Sequence, residues 1–274
     1  MRLGIFAKTF AAQGAAPVLD AVRAAGYQTA QFNMACVGLP SMPDEISGSV
    51  ISEIAAASQS SGVSIAAISG TYNMAHPDPA IRADGLRRLG VIISNAKALG
   101  TNLVTLCTGT RNPDDQWQFH KDNSSQEAWR DMRTEMAQAL HLAEAHGIDL
   151  GIEPELGNIV SSGASAKQLI DEMKSPRLKI VLDPANLFEI ETKKACDEII
   201  ARAVELLASH IAMAHAKDRN PRGEFVAAGT GVVDFPQFVS SLKQTGFDGS
   251  LITHGLSQAE APAVAKFLKN ILEL

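Results

Sequence analysis

Residues 148–186 read IDLGIEPELGNIVSSGASAKQLIDEMKSPRLKIVLDPAN. An apolar run, Ile148–Ile152, stops at the carboxylate of Glu153. A helical pattern over Ala164–Met173 follows, and a second apolar run, Leu178–Leu182, stops at Asp183. Both runs are nearly continuously apolar, broken only by Asp149 and Lys179, rather than alternating, the pattern of parallel strands covered on both faces. A proline follows each acid at once (Pro154, Pro184) and stiffens the exit. The stretch is a strand–helix–strand unit with an acid at each strand end.

Working outward, the same unit recurs. Upstream, apolar runs at Leu3–Phe6, Thr29–Phe32, Val63–Ile68 and Asn102–Leu106 precede helical patterns over Ala16–Ala25, Asp44–Ser61, Pro79–Leu99 and Gln126–His146. Gly26, Gly62, Gly100 and Gly147 follow those helices as stop signals. Downstream, helices over Thr192–Leu207, Asp234–Thr245 and Ala259–Leu274 alternate with runs at Ile211–Ala214 and Ser250–Thr253. Eight strand–helix units at a mean spacing of roughly 34 residues predict an α/β fold, a TIM (β/α)8 barrel of ~250 residues. No linker or charge block divides the chain, so the expectation is one domain over residues 1–274. A doubly wound open sheet would need a glycine-rich phosphate turn after the first strand, and AKTFAAQG carries no GxGxxG.

Composition narrows the function. The 274 residues carry 24 basic and 30 acidic side chains, net −6, with 46% hydrophobic and only 5% aromatic residues. That balance lacks the basic footprint and stacking platforms of a nucleic-acid binder. No apolar run is long enough to span a membrane, and MRLGIFAKTF is too short in apolar residues for a signal peptide. Three scattered cysteines without a CxxC argue against a disulfide framework or zinc ribbon. The expectation is a cytoplasmic enzyme acting on a small molecule, with no nucleic-acid or membrane partner. The apolar helices suit either outer-ring packing or a homo-oligomer interface.

In such a barrel the chemistry lies at the C-terminal ends of the strands. Strands five to eight end at Glu153, Asp183, His215 and His254. Two carboxylates and two imidazoles can hold one divalent cation, Mn²⁺, Co²⁺, Zn²⁺ or Mg²⁺. Alone, His215 would read better as a core histidine; its carboxylate companions shift it to a ligand. Glu155, two residues beyond Glu153, is a rival ligand and is assigned here to substrate contact. Other substrate-contact candidates come from the strand exits: Asn73 and His76 in GTYNMAHPD, Thr108, Arg111 and His120 in the long segment Cys107–Ser125, and Asn186, Lys217 and Arg219. Loops beyond ~12–15 residues usually have a task such as covering a site.

The segments IEPE (152–155), VLDPAN (181–186), HAKDRN (215–220), AGTGVVDF (228–235) and THGL (253–256) resemble the xylose-isomerase-like barrel superfamily, which includes sugar-phosphate isomerases and epimerases. The resemblance runs over essentially the whole chain. In that superfamily a Glu, an Asp, a His and a second Glu hold a catalytic divalent ion, which implies ligand roles for Glu153, Asp183 and His215. Asn186 falls where related epimerases often place a substrate-contacting histidine, and Arg219 lies near the arginine that commonly contacts substrate oxygens. The last place departs: His254 stands where a second Glu is expected. The resemblance therefore implies Glu153 as base with His254 as ligand, or His254 itself as acid/base.

The function expected is that of a metal-dependent isomerase or epimerase of a sugar, sugar phosphate or keto-polyol. Proton abstraction next to a carbonyl would give an enediolate stabilised by the metal. A dehydratase or lyase on a sugar-like substrate is the alternative. Apurinic endonuclease is disfavoured by the charge and by only seven histidines, and a non-catalytic sugar-binding barrel is the remaining rival.

Overall fold

The strand segments are short, apolar and rich in Val, Ile and Leu, and in the computed structural model, which describes residues 1–274, they form a closed ring. The ring strands are β1 (Arg2–Phe6), β2 (Thr29–Phe32), β3 (Ser64–Ser69), β4 (Leu103–Leu106), β5 (Asp149–Ile152), β6 (Leu178–Leu182), β7 (Ile211–Arg219) and β9 (Ser250–Thr253). All neighbours in the ring pair in parallel, and β1 meets β9 in register Gly4↔Ile252 to close it. Eight helices surround it: α1 (Ala15–Ala24), α2 (Gly48–Ser61), α3 (Pro79–Asn95), α4 (Gln126–His146), α5 (Gly163–Met173), α6 (Lys193–Leu207), α7 (Phe235–Gln244) and α8 (Ala261–Leu272). This is the TIM (β/α)8 architecture expected from the alternation of runs.

Successive side chains on a strand point to opposite faces, and that period of two organises everything above it. Residues pointing outward, such as Leu3, Ile5, Val104, Ile152 and Leu182, belong to the main apolar core shared with the helices. Those pointing inward at the lower level, Ala67, Leu103, Val181, Met213 and Ile252, form a separate small cluster that plugs the barrel. Gly4 and Gly151 belong to this crowded interior. A Cβ on Gly4 would sit 2.2 Å from Thr29 Oγ1, and one on Gly151 2.8 Å from Val181. Two residues further along each strand, the next inward layer is polar except for Phe6 on β1, and it floors the cavity described below.

Three boundaries differ from the sequence reading by more than two residues. Helix α2 starts at Gly48 rather than Asp44, because the Ser47 hydroxyl accepts the Val50 N–H and caps it there. Helix α3 stops at Asn95 rather than Leu99, and a turn carries the chain to Gly100. The larger difference is in β7, which runs past Ala214 to Arg219 and turns back as β8 (Phe225–Ala227), antiparallel to it. A polar segment, HAKDRN, thus forms a hairpin above the barrel. No helix is long and apolar enough to cross a membrane.

Candidate metal centre and substrate cavity

Four consecutive ring strands deliver the four expected donors to one point. One ligand atom each from Glu153, Asp183, His215 and His254 lies within 4.8 Å of all the others. Glu153 follows β5, Asp183 follows β6, His215 is inside β7 and His254 follows β9. They share the inward parity of Gly151, Val181, Met213 and Ile252, each two residues earlier. His254 Nε2 is 3.0 Å from Asp183 Oδ2, and His215 Nδ1 is 3.2 Å from Glu153 Oε1 and 3.7 Å from Asp183 Oδ2. Two oxygens and two nitrogens converging in this way suit a divalent first-row ion.

The surroundings are charged and mostly dry. Asp183 is fully buried; burial opposes its charge, but Lys217, His215 and His254 hold its carboxyl well below the usual range. Its Oδ1 accepts the Ala185 N–H at 2.9 Å, which aims Oδ2 at the cluster. Glu153 is likewise lowered, its burial outweighed by His215, and Asn186 Nδ2 donates to its Oε1 at 2.7 Å. Burial works against a charged His215, yet Glu153 and Asp183 push it up to about 9. His254 moves the other way: burial and the charges of His215 and Lys217 lower it. Glu155 is raised to about 7 by burial and by the charge of Glu153.

Above the cluster opens a cavity of about 420 Å³. Eighteen residues line it, and only four of them, Phe6, Leu106, Cys107 and Trp117, are apolar. Of the expected substrate contacts, Glu155, Asn186 and Lys217 reach this cavity. Lys217 Nζ donates to Asn186 Oδ1 at 2.6 Å and lies 3.3 Å from Asp183 Oδ2.

The other expected contacts lie outside the lining, and the structure commits them to holding loops. Asn73 Oδ1 accepts the N–H groups of Ala75 and Thr110, and its amide donates to Asn112 O. The His76 ring spans Asp78 N and Pro113 O. Thr108 accepts the Val160 N–H, and His120 accepts that of Asp122. Arg111 forms a buried pair with Asp131 at 2.7 Å. Arg219 donates to Ala185 O and Gly223 O and stacks on Phe225 4.0 Å from the ring centre. In this structure these side chains satisfy backbone groups that long loops would otherwise leave unpaired.

Reading strand exits also passed over residues within strands. Gln31, Ser69 and Thr105 line the cavity from β2, β3 and β4. Their signal is a polar side chain at an inward position near the C-terminal end of a mainly apolar strand. The rim adds Lys8, Asn33, Ser41, Thr71 and Gln116. Asp218, fully buried beside Lys217, accepts the N–H groups of Arg219, Gly229, Gly231 and Val233 and so ties the AGTGVV segment to the hairpin. The approach is close: a Cβ on Gly231 would lie 2.1 Å from Arg219 O.

Known proteins share this architecture. L-ribulose-5-phosphate 3-epimerase UlaE of Escherichia coli K12 is 26% identical over 195 residues, 70% of this chain; the chain spans only 63% of that relative's length. The solved structure of a D-tagatose 3-epimerase-like protein superposes with a TM-score of 0.79 at 18% identity, covering 100% of this chain and 97% of that one. The 3-keto-D-glucoside 4-epimerase YcjR from E. coli gives 0.76 at 16% identity, with full coverage of both chains. At those identities the two structures speak for the fold. A family model for the xylose isomerase-like TIM barrel matches residues 19–271, and the chain belongs to that family.

Proposed function

We propose that the protein is a divalent-metal-dependent epimerase or isomerase of a small ketose, ketose phosphate or related keto-polyol. The observation that carries this reading is the convergence of Glu153, Asp183, His215 and His254 on the floor of a polar cavity. A volume of about 420 Å³ lies at the small end of the ~300–1,000 Å³ typical of ligand sites. The mainly polar lining suits a compact, polyhydroxylated molecule. The names of the similar proteins, all sugar epimerases, support the same substrate class. Three free, buried thiols agree with a reducing, cytoplasmic setting.

Held by those four residues, the ion would supply Lewis-acid polarisation of a substrate carbonyl. The chain's own groups do the rest. Glu153 has Oε1 fixed by Asn186 and His215, which leaves Oε2 for the proton on the carbon next to that carbonyl. A positioned base of this kind contributes ~10²–10⁴-fold. Asn186 and Lys217, bonded to each other beside Asp183, present donors to substrate oxygens. His254 sits three strands round the ring from Glu153, where it would serve as the fourth ligand or, with the ion held by the other three residues, as the acid/base on the opposite side.

The imidazole at position 254 favours one further reading, a reaction that needs a single base, such as dehydration of a sugar-like substrate. One experiment separates these outcomes. Ketoses and their phosphates are incubated with the Mn²⁺-, Co²⁺-, Zn²⁺- or Mg²⁺-supplemented protein in D₂O and followed by NMR. Epimerisation or isomerisation incorporates deuterium beside the carbonyl and yields the epimer or aldose; elimination yields a dehydrated product. Absence of deuterium incorporation, together with no thermal shift from any ion, would remove the proposal.

A further inference from the structure

Gln31 is an uncharged amide buried in β2, in the polar inward layer that floors the cavity, and it hydrogen-bonds to neither carboxylate of the cluster. Its two ends are fixed by different partners. Nε2 donates to Ser69 Oγ at 3.3 Å and Thr105 Oγ1 at 3.2 Å, one hydroxyl from each of the next two strands. Oε1 faces His215 Nε2 at 2.8 Å. With both amide hydrogens directed at hydroxyls, the oxygen is the atom presented to the imidazole. A neutral imidazole carries a single hydrogen, so an acceptor at Nε2 draws that hydrogen there. In the neutral ring that would bind an ion, Nδ1 then carries the lone pair, at the point where it faces Glu153 Oε1 and Asp183 Oδ2.

We infer that Gln31 is a positioning residue that sets the tautomer of His215, holding the hydrogen on Nε2 so that Nδ1 is free to bind the ion. The inference rests on the proposed metal centre. Metal-bound histidines are commonly oriented by an acceptor on their other nitrogen. Here that acceptor is an amide braced by two hydroxyls. The reverse amide orientation would place the NH₂ against the ring. That would force the ring hydrogen onto Nδ1, between the two carboxylates, where it would block a cation.

The test uses the full-length protein and two probes, Mn²⁺ by titration calorimetry and Zn²⁺ by ¹⁵N-histidine NMR. Gln31→Leu removes the acceptor and is expected to weaken Mn²⁺ binding ~10–100-fold. Gln31→Glu keeps an acceptor at the same reach and is expected to restore wild-type affinity or exceed it. The Zn²⁺-loaded wild type should show His215 protonated at Nε2 and coordinated through Nδ1, a readout that needs no variant to fold. Unchanged Mn²⁺ affinity in a folded Gln31→Leu, or His215 coordinated through Nε2, overturns the role of Gln31 while leaving the metal centre standing. Failure of the wild type to bind either ion overturns the metal centre and this inference with it.

Discussion

Lys217→Met should move the stability and the ion affinity of this protein in opposite directions. The Lys217 ammonium is 5% exposed and 3.3 Å from Asp183 Oδ2. At an effective dielectric of about 20, unit charges at that separation attract by about 5 kcal/mol. Desolvation offsets part of this, and removing one partner of a buried pair commonly costs ~3–5 kcal/mol. Methionine retains most of the aliphatic stem, so the loss is chiefly electrostatic. At ~2–4 °C per kcal/mol for large domains, a cost of about 3 kcal/mol lowers the metal-free Tm by roughly 6–12 °C. An incoming dication meets the opposite situation, since the lysine competes for the same carboxylate oxygen and repels it. Relief of only ~1.4 kcal/mol of that repulsion is tenfold in Kd, so Mn²⁺ should bind at least ~10-fold more tightly. Thermal unfolding in EDTA measures the first effect and titration calorimetry the second. A variant with unchanged Tm in EDTA, or with weakened Mn²⁺ binding, would refute the view that Lys217 is the built-in counter-cation of this site.

Other outcomes follow from the same geometry. Asp183→Asn keeps the Ala185 N–H bond but turns an NH₂ toward His254 and Lys217. Calorimetry should show more than ~100-fold loss of Mn²⁺ affinity, beyond the ~10–100-fold typical of losing a ligand's outer partner. The raised basicity of His215, about 9 against an ordinary 6.5, stabilises the metal-free fold fully below about pH 6.5, and this contribution is lost as pH rises through about 9. Ion binding needs Nδ1 deprotonated, so apparent Mn²⁺ affinity should rise ~10-fold per pH unit between pH 7 and 9, with proton release visible in buffers of different ionisation enthalpy; a flat profile contradicts this. Gly231→Ala drives a methyl into Arg219 O and the Asp218 carboxylate. Overpacking of this kind costs ~1–3 kcal/mol, and thermal unfolding should show a lower Tm whether or not an ion is present.

The barrel was legible because its evidence is redundant. Eight apolar runs, each followed by a helix and five of those helices by a glycine, leave few architectures open, and an error of several residues, as at Asp44–Ser47, leaves the topology unchanged. The donors were legible because Glu153, Asp183 and His254 interrupt or follow apolar runs where an unpaired polar group would be costly. Gln31, Ser69 and Thr105 were not, because attention fell on strand exits while the cavity floor lies one inward position earlier. Counting in twos along β2, β3 and β4 would have found them. The β7–β8 hairpin was hidden for a different reason. In the sequence Lys217, Asp218 and Arg219 simply follow an apolar run that ends at Ala214, and only tertiary partners such as Asn186, the Gly229–Val233 amides and Ala185 O reveal why three consecutive charges are buried. Arg111 and Asn73 make the same point, since a sequence does not say whether a polar side chain serves a ligand or its own backbone.

Closure of the ring by β9 also has a temporal side. His254 is carried by the last strand, which pairs with β1 across almost the whole length of the chain, Gly4 with Ile252. A ribosome-bound chain that has emerged only through β7 can bring together Glu153, Asp183 and His215, but its ring is open and its fourth donor has yet to be made. Contacts this distant in sequence form late in folding. The convergence of all four side chains is therefore a property of the closed barrel, and the proposed centre would have its full set of donors only once the ring shuts.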